Sequence, residues 1–203
     1  TQWRSELSEK FYIDSLILES SNFNKMRKEG CLNPFDAKNQ VVICSYNFAA
    51  NKDSFVHAMP WDLVVLDEAH RLRNVYKPQN VTANKLKNAL KGRKKLLLTA
   101  TPLQNNLMEL YGLVSFIDEH VFGDAKTFRE MYVAVNNAEL RNRNLRDRLS
   151  VFCKRTLRKQ VTEYVRYTER HAILQEYTPT KDEELLYNSI SSYLQTDHLY
   201  ALP

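Results

Sequence analysis

The chain has 203 residues, of which 43% are hydrophobic and 26% charged, with a formal net charge of +5. That length accommodates one α/β domain plus a smaller appendage around a sizeable core, and the proportions exclude disorder as the default state. No apolar run approaches membrane-spanning length, no signal peptide opens the chain, and Cys31, Cys44 and Cys153 form no Cys-x-x-Cys pair; the thiols read as reduced and inert, inside a cell, where the Asn80-Val-Thr82 sequon would go unused.

In chain order, Trp3, Leu7 and Phe11 fall at helical spacing and predict one apolar stripe on a short helix. Ile13 to Leu18 reads as a strand. Asn22 to Asn39 is polar and punctuated by Gly30 and Pro34, so it reads as loop with little more than a helical turn. Gln40 to Tyr46 is a buried strand with a polar exit, followed by a helix from Phe48 to Ala58. Leu63 to Leu66 is too brief for a buried helix, rich in β-branched residues, and cut off by Asp67 and Glu68, which predicts a buried parallel strand ending at two carboxylates. Ligand sites of open α/β sheets lie at that end of the strands. Asp67 stands where a magnesium–phosphate complex could be held, and Glu68 one residue deeper, where a water could be activated. On these letters alone, an acidic turn capping the next helix is an equal alternative.

A Pro78-containing loop follows, then a basic helix from Thr82 to Lys91 ended by Gly92. Lys95-Leu-Leu-Leu then repeats the earlier design, an apolar strand opening into Thr99, Thr101, Gln104 and Asn105. Leu107, Leu110, Tyr111, Val114 and Ile117 recur at helical spacing behind an Asn106-x-x-Glu109 cap. Repeated strand–helix passes predict a single parallel sheet. Beyond Ile117, Phe128 to Tyr132 and Leu140 to Phe152 read as helices, His171 to Tyr177 alternates like a strand, and Thr180 with Glu183 caps a last helix bearing Leu186, Ile190 and Tyr193. Two stretches are locally basic: Arg71 to Lys95 has nine basic residues and no acid, and Arg141 to Lys159 has eight basic residues and one acid. Either a polyanion partner or solvated helix faces would account for them.

Asp67-Glu-Ala-His70, paired with Leu98-Thr-Ala-Thr-Pro-Leu-Gln-Asn105, resembles motifs II and III of superfamily-two helicases. The second segment is similar to that of the Swi/Snf family of double-stranded-DNA translocases, with Ala100 where the family usually has Gly. Gln2-Trp3-x-x-Glu6-Leu7 resembles the segment after motif Ia. Cys44-Ser45-Tyr46 resembles motif Ib, with Cys44 in place of Thr. Cys153-Lys154-Arg155-Thr156 through Arg158 to Val161 resembles the family's Arg-Arg-Thr-Lys-x-x-Val segment, with Lys154 for the first Arg.

The resemblance implies an α/β fold, a parallel RecA-like sheet flanked by helices and followed by a smaller, mainly α-helical protrusion. Residues 1–117 would be the rear of the first ATPase lobe and residues 118–203 the protrusion leading toward a second. It implies ATP and Mg2+ as cofactors and double-stranded DNA as partner. Asp67 would hold the metal through water, and Glu68 would orient and deprotonate the attacking water. His70, Thr99, Thr101 and Gln104 would couple nucleotide to nucleic acid, and Ser45, Arg71, Arg73 and Arg155 would contact the nucleic acid. The obstacle moved would be RNA polymerase, as in a bacterial polymerase-recycling branch, or a chromatin-like protein; no membrane is involved. Location would follow the DNA, in the nucleoid-associated cytoplasm of a bacterium or archaeon or the nucleus of a eukaryote. Gly30, Gly92, Gly112 and Gly123 open no Gly-Lys-Thr phosphate loop, so the chain reads as the middle of a longer motor, inactive in hydrolysis by itself. The rival readings are a degenerate module that binds nucleic acid or protein, and an RNA helicase. The motor reading demands that Glu68 and Thr101 share one exit edge.

Overall fold

Among the described residues four short apolar runs form strands, and these pair in parallel. The structure, a computed structural model, describes residues 2–135, 137–156 and 172–195. Strand β1 (Ser15–Ile17) pairs with β2 (Val41–Ile43), and β3 (Val64–Leu66) with β4 (Lys95–Leu97). The expected single sheet is two two-stranded sheets, because no ladder joins β2 to β3 among the described residues. A side chain does the joining: Tyr46, just past β2, donates its hydroxyl to the Asp67 carbonyl, just past β3. The strands are also less buried than their composition suggests. Val65 and Leu96 lie opposite each other in register and are 44% and 46% exposed, with Leu63 exposed beside them. Parallel sheets ordinarily have both faces covered; here helices cover one.

Helix α1 (Gln2–Phe11) forms as its spacing predicts, yet it buries no residue, and Phe11 stays largely in solvent. The polar stretch expected as loop is instead helix α2 (Ser20–Lys28). Asn22 and Glu19 cap it reciprocally, and Phe23 anchors it edge-on against Phe35, Phe48 and Phe55. One fully buried aromatic ring outweighs the weak helix propensity of its neighbours. The next helix is two, α3 (Tyr46–Asn51) and α4 (Asp53–His57), broken at Lys52, and α5 (Val81–Ala89) buries Ala83, Leu86 and Ala89.

Helix α6 (Leu107–Ile117) is the wall between two cores. Leu113 and Phe116 pack into a large cluster with Leu66, Leu72, Val75 and Leu86; Met108, Tyr111 and Val114 pack into a second with Phe122, Phe128, Tyr132 and Leu145. The second cluster is mostly aromatic, its rings 5.0 to 5.7 Å apart along Phe122, Phe128 and Tyr132. It draws in α7 (Ala125–Phe128), the π-helical turn Arg129–Val133, and α8 (Ala138–Leu149). The change of character after Ile117 is therefore not a break in packing: one compact unit runs from Thr1 to Cys153 and another from Lys154 to Pro203. In the second unit, α9 (Lys181–Leu194) has the expected Thr180–Glu183 capping box, while Leu186 and Ile190 are exposed. Residues 172–179 form no strand; an alternating pattern becomes one only where a neighbour supplies hydrogen bonds. Residue His171 and the Leu157–Val161 segment lie outside the described residues.

Gly112 sets how closely the chain approaches α6, since a Cβ there would lie 1.9 Å from the Arg73 carbonyl oxygen. Helix propensity favours Ala over Gly by about 1 kcal/mol, but a clash with backbone cannot be relieved by a rotamer change. Gly112→Ala should destabilise the chain by on the order of 2–3 kcal/mol, read as a lower denaturant midpoint at unchanged slope.

Candidate functional site

The parallel pairing of β3 and β4 continues past both strands. Leu98 donates its N–H to the Leu66 carbonyl, and Ala69 then donates to the Leu98 carbonyl, each at 2.9 Å. Glu68–Ala69 therefore runs alongside Leu98–Thr99, and the acids and the hydroxyls emerge at one edge. To make that second bond the chain turns within one residue, and Glu68 takes a left-handed conformation, φ 52 and ψ 43, before the 3-10 turn Ala69–Leu72. Such a backbone costs a non-glycine residue about 1–2 kcal/mol. Ala69, with no exposed surface, anchors the turn.

Asp67 and Glu68 are both exposed. Asp67 Oδ1 accepts its neighbour's N–H, from Glu68, at 2.9 Å, and Oδ2 accepts the Trp3 indole N–H at 2.7 Å. Glu68 Oε2 lies 3.1 Å from His70 Nδ1. His70 thus turns back on the acid instead of reaching the threonine loop, because the left-handed residue brings the imidazole over the carboxylate two residues before it. No group of three or more His, Cys, Asp or Glu side chains among the described residues makes a metal cage. One exposed carboxylate suits Mg2+, which keeps most of its water and is usually held by one or two carboxylates plus phosphate. Trp3 and Tyr46 around Asp67 are contacts that sequence reasoning missed. Burial, and then the Asp67 charge, pushes the Tyr46 phenol up to about 12, so it stays a donor.

The Thr99–Asn106 segment closes on itself at one end and on α6 at the other. Thr99 Oγ1, half-buried, accepts the Thr101 N–H at 3.2 Å, while Thr101 is exposed. Asn106 makes no side-chain cap. Glu109 reaches further back than expected: Oε2 accepts from the N–H groups of Gln104 at 2.9 Å and Asn105 at 3.2 Å, and Oε1 from the Asn105 side chain at 2.9 Å. Burial raises the Glu109 pKa, but those donors and the nearby Arg73 charge outweigh it, and the carboxyl sits below its ordinary value. A lone acid in the first turn of an otherwise apolar helix was the signal available in the sequence.

Arg73 belongs to this network. Its Nη2 donates to Gln104 Oε1 at 2.6 Å, its Nε lies 3.7 Å from Glu109 Oε1, and its side chain is 17% exposed. It is turned inward, not toward a surface polyanion. Arg71 is exposed at the exit edge, its guanidinium 5.9 Å from the centre of the Tyr46 ring. Ser45 is exposed nearby, its oxygen accepting the Phe48 N–H as the cap of α3, which leaves its proton free to donate. Arg155 is exposed in the second unit. The basic run from Arg71 to Lys95 is divided. Lys85 and Lys87 pair with Asp53 and Glu119, and Lys95 donates to the Leu90 carbonyl. Lys91 and Lys94 precede β4, at the edge opposite Asp67. Cys31 and Cys44 are half-buried and Cys153 is exposed, all unpaired; burial pushes the Cys44 thiol up to about 11, consistent with an inert thiol.

The chain is 34% identical over 104 residues to the ISWI chromatin-remodeling complex ATPase ISW2 of Saccharomyces cerevisiae, covering 51% of this chain and 9% of that protein. It is 42% identical over 96 residues to the DNA repair and recombination protein RAD54 of Oryza sativa subsp. japonica, covering 47% of this chain and again 9% of the relative. In fold it resembles the Sulfolobus solfataricus SWI2/SNF2 ATPase core solved in complex with dsDNA, with a TM-score of 0.53 and 19% identity over 74% of this chain and 30% of that one. The chain thus spans about a tenth of the length of these curated relatives. Its mixed α/β architecture of short parallel strands flanked by helices matches that RecA-like core. The profile of the SNF2-related domain matches residues 1–201, and the chain belongs to the SNF2-related domain family.

Proposed function

We propose that this chain forms part of an ATP-dependent motor on double-stranded DNA, with residues 1–117 serving the nucleotide and residues 118–203 forming the protrusion. The observation that carries the reading is the Ala69 N–H on the Leu98 carbonyl, which sets the acid pair and the hydroxyl loop side by side at one sheet edge. Names of relatives lend support: chromatin-remodeling ATPases and a recombination protein among the sequences, a duplex-DNA complex among the structures. The obstacle moved would be a chromatin-like protein or RNA polymerase, and the place of work wherever the cell keeps its DNA.

Asp67 would hold the magnesium–nucleotide complex through water, with Trp3 and the Glu68 amide fixing its carboxylate. Magnesium supplies charge neutralisation on the phosphate oxygens. Glu68 orients a water on the γ-phosphorus and accepts its proton as the new P–O bond forms and the bond to the β-phosphate oxygen breaks. His70 occupies one Glu68 oxygen and leaves the other for water. Thr99, Thr101 and Gln104, along the same edge, sense the state of the site. Ser45 and Arg71, near the acids, are the contacts to the DNA backbone; Arg155 is a third, from the second unit.

With no Gly-Lys-Thr loop among its residues, the 203-residue chain should show negligible ATP hydrolysis by itself. In the intact parent, Glu68→Gln should abolish DNA-stimulated hydrolysis, a loss of at least about a hundredfold, while nucleotide binding persists; a variant that keeps its turnover removes Glu68 as the base. Arg71→Ala in this chain should weaken binding to a short DNA duplex and make the log–log salt dependence shallower by about one unit, whereas Lys91→Ala, at the opposite edge, should leave that slope alone. A chain that shifts DNA, from a parent in which no hydrolysis is found, would instead favour a non-catalytic binding module.

A further inference from the structure

Arg73 grips helix α6 at two points on one face. Its carbonyl lies so close to Gly112 that no side chain fits there, and its guanidinium lies beside Glu109, three residues earlier on that helix. The same guanidinium donates to Gln104 in the hydroxyl-bearing loop. Glu109, 2% exposed, takes the backbone of that loop at Gln104 and Asn105. Residues 100–106 are otherwise exposed, and among the described residues Thr101 is tied by its N–H to its neighbour Thr99. Arg73 itself ends the segment that begins with Asp67 and Glu68. We propose that Arg73, Gln104 and Glu109 form a latch fastening the hydroxyl loop to the acid turn, so that the two halves of the site move as one body, with Arg73 as its positioning residue.

The chemistry makes the latch all-or-none. A carboxylate buried this deeply stays ionised only with its donors in place, and withdrawing one partner strands the other's charge or polar atoms. Arg73 Nη1 is already buried without a partner among the described residues, so the guanidinium has no second set of acceptors to fall back on. Lysine could supply the charge but not the breadth of a planar guanidinium, which donates to Gln104 while its other edge lies beside the Glu109 carboxylate. Loop and turn therefore have two arrangements, fastened and released, with little between. The functional consequence rests on the motor reading; the latch does not.

Amide hydrogen exchange in the 203-residue chain tests the latch directly. Arg73→Lys and Glu109→Gln should speed exchange at Gln104 and Asn105 roughly tenfold or more, while Leu90, the buried residue that caps the end of α5 and donates its N–H to the Leu86 carbonyl, keeps its protection. Unchanged exchange at those two amides, or an equal rise at Leu90, overturns the proposal. Gln104→Ala, at an exposed residue, provides a variant that will fold, and it should release the Asn105 amide without touching Leu90. In the parent, Arg73→Lys should lower the stimulation of ATP hydrolysis by DNA roughly tenfold with KM for ATP little changed, and adding Gln104→Ala should cost nothing further. Additive losses would overturn the coupling role. A parent with no hydrolysis under any condition would refute the motor reading and leave the exchange experiment to judge the latch.

Discussion

A single backbone hydrogen bond, from the Ala69 N–H to the Leu98 carbonyl, governs the geometry of everything at the exit edge. It extends the β3–β4 pairing beyond the last strand residues and leaves Glu68 as the only residue in which the chain can reverse. The left-handed backbone at Glu68 follows from that constraint and not from any preference of glutamate. The turn also decides where the neighbours point. Asp67 faces Trp3, His70 folds back on Glu68, and Arg71 swings over Tyr46.

Around this edge the two kinds of charge are treated in opposite ways. Asp67 and Glu68 sit in water, where they can exchange partners at little expense. Glu109 lies in the wall between the cores, where exchange is expensive, and three donors together with the Arg73 charge hold it ionised. Mobile chemistry at the rim thus rests on a rigid electrostatic footing beneath it, and α6 supplies that footing because both its sides are packed.

Much of this was legible in the sequence, for identifiable reasons. The apolar runs at Val64–Leu66 and Lys95–Leu97 end abruptly in polar letters, and strand exits in parallel sheets are where such letters belong. The pairing of acids with hydroxyls followed. Helix α2 was not legible, since its stability comes from Phe23 meeting three rings distant in the chain. Neither was the role of Arg73: a guanidinium in a basic run looks the same whether it faces a phosphate or a buried glutamate. The number of sheets was hidden too, because nothing in the letters of β2 and β3 says whether their edges meet. Glu109 was partly visible, as an acid in a helix start, but its reach past Asn106 depends on how the loop folds back.

The bare side of β3–β4 has a practical meaning for handling the protein. Leu63, Val65 and Leu96 present a greasy stripe on a sheet that has two strands among the described residues, the combination that lets molecules adhere to one another. A polar residue at Val65, which already looks outward, would interrupt that stripe without entering the core.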